Sequence, residues 1–215
     1  MGTGAHPTTA GPRILDIGWA GFSAHAAAAI HQSTETMSRY RRSQAAGSTF
    51  FFTVVSYRRQ PILCDETLRS ALRESVAMVR AKRPFKIDAW VLLPDHLHCI
   101  RALPAGDADF STRWGMIKRT VSRACRNVYR RSKWLEPTKS SHRESTIWQR
   151  RFWEHQIRDD TDFARHVDYL HMNPVKHGHV QRAVDWPYST FHRYLRQGLL
   201  AADWAGDADF DMGCE

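Results

Sequence analysis

The chain has 215 residues, 42% of them hydrophobic and 25% charged, which allows one well-buried core, is short for two full domains and excludes overall disorder. Its longest apolar run, Phe50 to Val55, is far too short to cross a bilayer, and its start lacks the basic-then-apolar order of a secretory leader. Lys and Arg number 31 against 22 Asp and Glu, and residues 113–151 carry 12 of the former against two of the latter, a block that points to a polyanionic partner, nucleic acid first.

Residues 1–36 are rich in Ala, Gly, Thr and Ser without a sustained period and read as a flexible extension, with Met37 as an alternative initiator. The aromatic and β-branched run 49–57 predicts a buried strand. Asp65 then caps a helix in which Leu68, Leu72, Val76 and Val79 recur at helical spacing, and Pro84 ends it. Residues 85–93 and 97–103 predict two further strands joined by a short turn at Pro94-Asp95. Asp109 or Ser111 caps a second helix with the apolar stripe Phe110, Trp114, Ile117, Val121, Ala124 and Val128. A polar, basic loop over 132–145 precedes a fourth strand over 147–157 and a third helix over 161–173.

The order β-α-β-β-α-β and then α predicts an α+β, ferredoxin-like fold: an antiparallel sheet with two helices on one face and the later helix near the open face. Residues 37–200 form the single domain, with a helical appendage from about residue 180, and 201–215 an acidic tail. The cysteines (Cys64, Cys99, Cys125, Cys214) lie far apart in sequence, which argues against a zinc knuckle or a disulfide framework and for a reducing, cytoplasmic setting.

Two constellations can carry chemistry. In His96-Leu97-His98, strand spacing puts both imidazoles on one face, where they can hold a divalent metal with a third ligand from elsewhere. On the third helix, Phe163, Val167 and Leu170 form an apolar stripe, and His166, Tyr169 and Asn173 a polar one about a quarter turn away. Tyr169 and Asn173 are four apart and therefore neighbours. Pro174 disfavours helical geometry in the preceding residue and is expected to put Asn173 at the helix end.

The segments Pro94-Asp95-His96-Leu97-His98-Cys99-Ile100, Arg151-Phe152-Trp153-Glu154-His155, Asp168-Tyr169-Leu170-His171-Met172-Asn173-Pro174-Val175-Lys176-His177-Gly178 and Asp185-Trp186-Pro187-Tyr188-Ser189-Thr190 occur in the order found in REP-associated tyrosine transposases. The chain resembles that family, a branch of the single-tyrosine HUH (His, hydrophobic, His) transposases, from about Met37 to Asp207. The resemblance implies a Mg²⁺ or Mn²⁺ ion held by His96 and His98 with Asn173 in the third-ligand place, and Tyr169 as the nucleophile. It further implies cleavage and transfer of single-stranded DNA through a 5′-phosphotyrosine at repetitive extragenic palindromic hairpins, by a monomer or homodimer. A phenol, with a pKa of about 10, is mostly protonated at neutral pH and needs activation before it attacks. His166 and His171 are candidates for that proton transfer without a distinguishing feature. No other tyrosine (Tyr40, Tyr57, Tyr129, Tyr188, Tyr194) has an asparagine one turn away in a matching motif.

On the second helix Arg119, Arg123, Arg126 and Arg130 form a stripe opposite the apolar one, able to grip the outside of a hairpin. Lys139, Arg143, Arg150 and Arg151 are better placed for phosphates, and Trp153 for stacking on unpaired bases, while at least two of Trp148, Phe152 and Trp153 are expected in the core. Two rival readings stand beside the transposase: a non-catalytic nucleic-acid-binding protein, and a metal hydrolase in which the His pair activates water. The second needs a carboxylate beside the histidines, and Asp95 is expected to point away from them.

Overall fold

In the computed structural model, which describes residues 47–134 and 145–206, β1 (Thr49–Val55), β2 (Lys86–Leu92), β3 (His96–Ala102) and β4 (Trp153–Gln156) form one antiparallel sheet ordered β2-β3-β1-β4. Five α-helices accompany it among the described residues: α1 (Glu66–Lys82), α2 (Phe110–Ala124), the single turn α3 (Arg126–Tyr129), α4 (Asp160–Lys176) and α5 (Phe191–Arg196). The α+β class and the predicted succession of strands and helices are both present. The extension over 1–36, Lys139, Arg143 and the tail from 207 onward lie outside the described residues.

Period-two alternation divides the sheet into two dissimilar faces. Phe52 and Val54 of β1 and Leu97 and Cys99 of β3 pack with Leu68, Leu72, Val76 and Val79 of α1 and Trp114, Ile117 and Val121 of α2. The opposite face offers Phe51, Ala89, Val91 and Ile100 to Val167 and Leu170 of α4. The third helix therefore does cover the open face, and its apolar stripe docks it there.

Several boundaries differ from expectation for identifiable reasons. Asp65 stands at the N-cap of α1, but its carboxylate accepts the Tyr129 hydroxyl at 2.8 Å instead of capping the helix. Asp109 does cap α2, accepting from the Thr112 N–H at 3.0 Å. The helical path breaks at Cys125, so the stripe shifts: Cys125 and Tyr129 are buried, whereas Ala124 and Val128 are exposed. The fourth strand is shorter than predicted. Trp148 bridges Ser56 at the end of β1, the chain then leaves the sheet, and only Trp153–Gln156 pairs along β1.

α4 is longer than predicted, because it continues through Pro174 to Lys176. Proline removes one helical N–H, yet the last turn still closes through His177 N–H to Asn173 C=O at 3.0 Å. Asn173 is thus fully buried inside the helix and not at its end. In β2 the register shifts between Ile87 and Ala89, which frees the Asp88 carbonyl to accept the Tyr194 hydroxyl at 3.0 Å and tie down α5. The segment before α5 runs along the outer edge of β2, with Leu92 N–H on Tyr188 C=O and Thr190 N–H on Trp90 C=O, and so covers an otherwise open sheet edge. Among the described residues no helix is long and apolar enough to cross a membrane, and Cys64, Cys99 and Cys125 are free thiols.

Candidate active site

The register of the sheet assembles the site. Val55 pairs with His96 and Thr53 with His98, so Thr53 and both imidazoles face α4 while Leu97 points into the α1–α2 core. The two imidazole rings are 4.8 Å apart, centre to centre, and both are buried. Tyr169 stands over the same spot on α4, its ring 5.3 Å from that of His98 and 6.0 Å from that of Phe51. One turn later Asn173 brings Oδ1 to 3.3 Å from His96 Nε2. Residues more than 70 positions apart in sequence therefore meet on one side of the sheet.

Hydrogen bonds fix which ring nitrogens are available. His96 Nδ1 lies 2.7 Å from Asp95 Oδ1. A neutral ring that donates its Nδ1–H to this carboxylate directs the Nε2 lone pair toward the Asn173 amide. His98 Nδ1 lies 2.9 Å from Thr53 Oγ1, while its Nε2 is buried without a hydrogen-bond partner. An orphaned buried acceptor costs roughly 1–3 kcal/mol unless something binds it. Burial, reinforced by the nearby Lys176 ammonium, holds His98 well below the usual imidazole range despite its contact with Asn173, which keeps the ring neutral and able to offer its lone pair. Two imidazole nitrogens and an amide oxygen converging in this way fit one divalent cation, with Asp95 and Thr53 as the outer groups that fix ring orientation.

Asp95 corrects one expectation. It sits in the turn before β3, outside the strand alternation, and its carboxylate turns back onto His96. Burial pushes this carboxyl up, but hydrogen bonds from His96 and from Arg59 at 3.0 Å overcome that and hold it at about 2. Asp95 therefore stays ionised and orients His96.

The chemistry-bearing candidates divide clearly. His171 lies in the C-terminal packing, with Nε2 3.1 Å from Thr190 Oγ1 and its ring against Phe191, Tyr194 and Trp204; burial pushes its pKa down to about 3. His166 is bound to Asp162. Among the other tyrosines, Tyr129 is held by Asp65, Tyr194 by Asp88, and Tyr188 lies beneath the Arg69 guanidinium at 4.4 Å. Tyr57 packs its ring against Trp134, and Tyr40 lies outside the described residues.

Sequence reasoning missed Thr53, Lys176 and His177 as neighbours of the site. Lys176 Nζ is 5.3 Å from the centre of the Tyr169 ring, and the His177 ring is 5.2 Å from that of His96. The signal for Lys176 and His177 was their place seven and eight residues after Tyr169, close to two helical turns, in a helix expected to stop at Pro174.

Of the residues expected to meet DNA, Arg150 and Arg151 are exposed at the approach to β4, and Trp153, on the tyrosine side of the sheet, is 40% exposed with its ring stacked on His155. Trp148 and Phe152 pack into the α1–α2 core as expected. Arg119 and Arg123 are exposed on the outer side of α2, with the whole helix layer and the sheet between them and Tyr169.

No family model matches the chain. It is 47% identical over 179 residues to the REP-associated tyrosine transposase of Escherichia coli K12, covering 82% of this chain and 97% of that protein. A Haemophilus influenzae protein named for the same family is 40% identical over 179 residues, covering 82% of this chain and 98% of the relative. Among solved structures, a REP-associated tyrosine transposase bound to a REP hairpin shares 46% identity with a TM-score of 0.66, covering 83% of this chain and 98% of that one.

Proposed function

The chain belongs to the REP-associated tyrosine transposases, and from that premise we propose that it nicks and rejoins single-stranded DNA at repetitive extragenic palindromic hairpins, with Tyr169 as nucleophile. His96, His98 and Asn173 would hold a Mg²⁺ or Mn²⁺ ion. The observation that carries this reading is the orphaned, buried Nε2 of His98 beneath the Tyr169 ring. When bound, such an ion polarises the scissile phosphate and offsets charge that develops on it.

The remaining work falls to the chain itself. Tyr169 Oη attacks the phosphorus, the bond to the 3′ oxygen breaks, and the phenolic proton ends on that oxygen. The products are a 5′-phosphotyrosine and a free 3′-hydroxyl. One phosphodiester is exchanged for another, so rejoining to a second strand needs no nucleotide hydrolysis. Lys176, close to the Tyr169 ring, favours the phenolate as its proton departs. Asp95 and Thr53 keep His96 and His98 in the tautomers that turn Nε2 toward the site. Docking of α4 through Val167 and Leu170 sets the height of the phenol above the sheet, which supplies orientation before any chemistry. Arg150 and Arg151 would meet phosphates and Trp153 an unpaired base on the same side.

Tyr169→Phe provides the test. Incubated with hairpin oligonucleotides and Mn²⁺, the variant is expected to bind DNA as the parent does but to form no covalent protein–DNA adduct on a denaturing gel. Nicking that continues at the parent rate removes Tyr169 as nucleophile, and nicking without an adduct in the parent protein favours a water-activating hydrolase.

A further inference from the structure

Farther along the tyrosine-bearing face lies a second group of metal-ligand side chains. His155 on β4 and Asp162 and His166 on α4 bring their donor atoms within 4.8 Å of one another. His155 Nε2 is 2.9 Å from Asp162 Oδ2. His166 Nδ1 is 3.2 Å from Asp162 Oδ1 and 2.7 Å from the Asp162 carbonyl oxygen. The two imidazoles stack 4.6 Å apart at 11°. This group is not the HUH site: the Phe51 ring stands between them, 5.3 Å from His98 on one side and 4.9 Å from His166 on the other.

We propose that His155, Asp162 and His166 form a second cation site, of the Zn²⁺ class, that fastens the start of the tyrosine helix to β4. Four features support it. Two imidazoles and one carboxylate are a donor set that Zn²⁺ accepts readily. Asp162 and His166 are almost fully buried and His155 has 27% of its side chain exposed, so the cluster has both a dry interior and an entry. The ligands come from two elements, as a tie needs. Finally, the donor atoms are already gathered, and rotation of the two imidazoles out of their parallel stack would turn their lone pairs onto one ion.

The charges around the group are consistent with exchange. Arg158 donates to Asp162 Oδ2 through its main-chain N–H and through Nε, each at 3.0 Å, and its side chain, 67% exposed, can swing into water while the main-chain bond stays. Burial pushes the Asp162 carboxyl up, yet hydrogen bonds from Arg158 and His155 hold it well below the usual carboxylate range, so it is an anion ready to ligate. Binding requires no oxidant and no net proton loss from neutral rings: each imidazole moves its proton from the ligating nitrogen to the other, and the Arg158 side chain leaves Asp162 Oδ2, which keeps the Arg158 main-chain N–H. Trp153, stacked parallel to His155 at 6.0 Å, shields the outer side. The proposal stands apart from the transposition chemistry and is tested by metal binding alone.

Tag-free full-length protein, stripped with chelator, is titrated with Co²⁺ as a spectroscopic probe and with Zn²⁺ read by mass spectrometry of the dialysed protein. The double variant His96→Ala/His98→Ala is expected to keep one Co²⁺ per chain, with the intense visible absorption of a low-coordinate site. Adding His155→Ala is expected to weaken that binding by more than about 100-fold, beyond the loss caused by removing an outer-shell partner. Arg158→Ala, which removes the competing cation from an exposed position, is expected to tighten it severalfold. The proposal is overturned if the double variant binds no Co²⁺ or Zn²⁺, or if His155→Ala leaves its affinity unchanged. An Arg158→Ala affinity equal to or weaker than the parent's also overturns it, and that arm needs no change to a buried ligand.

Discussion

The two faces of the sheet are made by the same strands and could hardly differ more. Toward α1 and α2 the side chains are aromatic and aliphatic, and the burial they achieve is that of an ordinary core. Toward α4 the same strands present Thr53, His96 and His98, and the covering helix answers with His166, Tyr169 and Asn173, all buried. His98 Nε2, buried without a hydrogen-bond partner, is costly until something binds it, so this face contributes less stability than a wholly apolar one. The difference teaches a division of labour: one face holds the molecule together, and the other keeps reactive groups dry and oriented.

Adjacent residues of β1 allow this contrast to be broken most sharply. Phe52 faces the first side, wholly buried and in ring contact with Phe110, Trp114 and Phe152. Phe52→Ala is expected to cost about 3–5 kcal/mol, seen as a lower urea midpoint and melting temperature. Thr53 faces the other side and bonds His98. Thr53→Val keeps the shape and removes the hydroxyl, so its effect belongs in ion affinity: Mn²⁺ binding at the His96–His98 site should weaken about 10- to 100-fold while the fold persists. If Thr53→Val unfolds the protein as severely as Phe52→Ala, the division between faces is wrong.

One residue of the packing face departs from the pattern. Arg101 is completely buried, its Nε, Nη1 and Nη2 lack hydrogen-bond partners, and its guanidinium sits 4.1 Å from the Trp114 ring centre and 4.7 Å from those of Phe52 and Phe85. Burial pushes its pKa down to about 10. Cation–π contacts of about 2 kcal/mol when desolvated offset only part of the cost of taking a charge out of water. Arg101→Met fills similar space without the charge and is expected to raise unfolding stability by about 1–3 kcal/mol in urea titrations. A loss of stability instead would mean that the aromatic cage favours the cation, and the packing face would not be purely a matter of apolar burial.

How much of this was legible beforehand follows from the range of the signals. The strands and helices were readable because periodicity is local, and the HUH pair was readable because alternation alone puts His96 and His98 on one face. Tyr169 and Asn173 were readable as neighbours, since spacing of four is a property of any helix. The partnership of Thr53 with His98 was not, because it depends on sheet register between strands 45 residues apart. Asp95 was misread because the alternation rule was carried one residue past the start of β3. The end of α4 was misread because Pro174 was given more authority than the packing of Val167 and Leu170, which keeps the helix going to Lys176. The basic block, finally, was counted as one feature although the fold divides its described residues between α2 with the turn after it and the segment leading into β4.

That distribution yields the smallest effect. Arg151 leads into β4 on the approach to Trp153, while Arg119 projects from the outer side of α2. If the single-stranded flank of a hairpin runs along the tyrosine-bearing side, Arg151→Ala should weaken hairpin binding severalfold and reduce the slope of log affinity against log salt by about one. Arg119→Ala should change neither beyond a small long-range term, because more than a Debye length of protein, about 8 Å at physiological salt, separates it from that path. Fluorescence anisotropy over a salt series measures both variants. Equal losses would mean that the DNA also wraps the helix layer, and the two faces would then share the substrate even though only one holds the nucleophile.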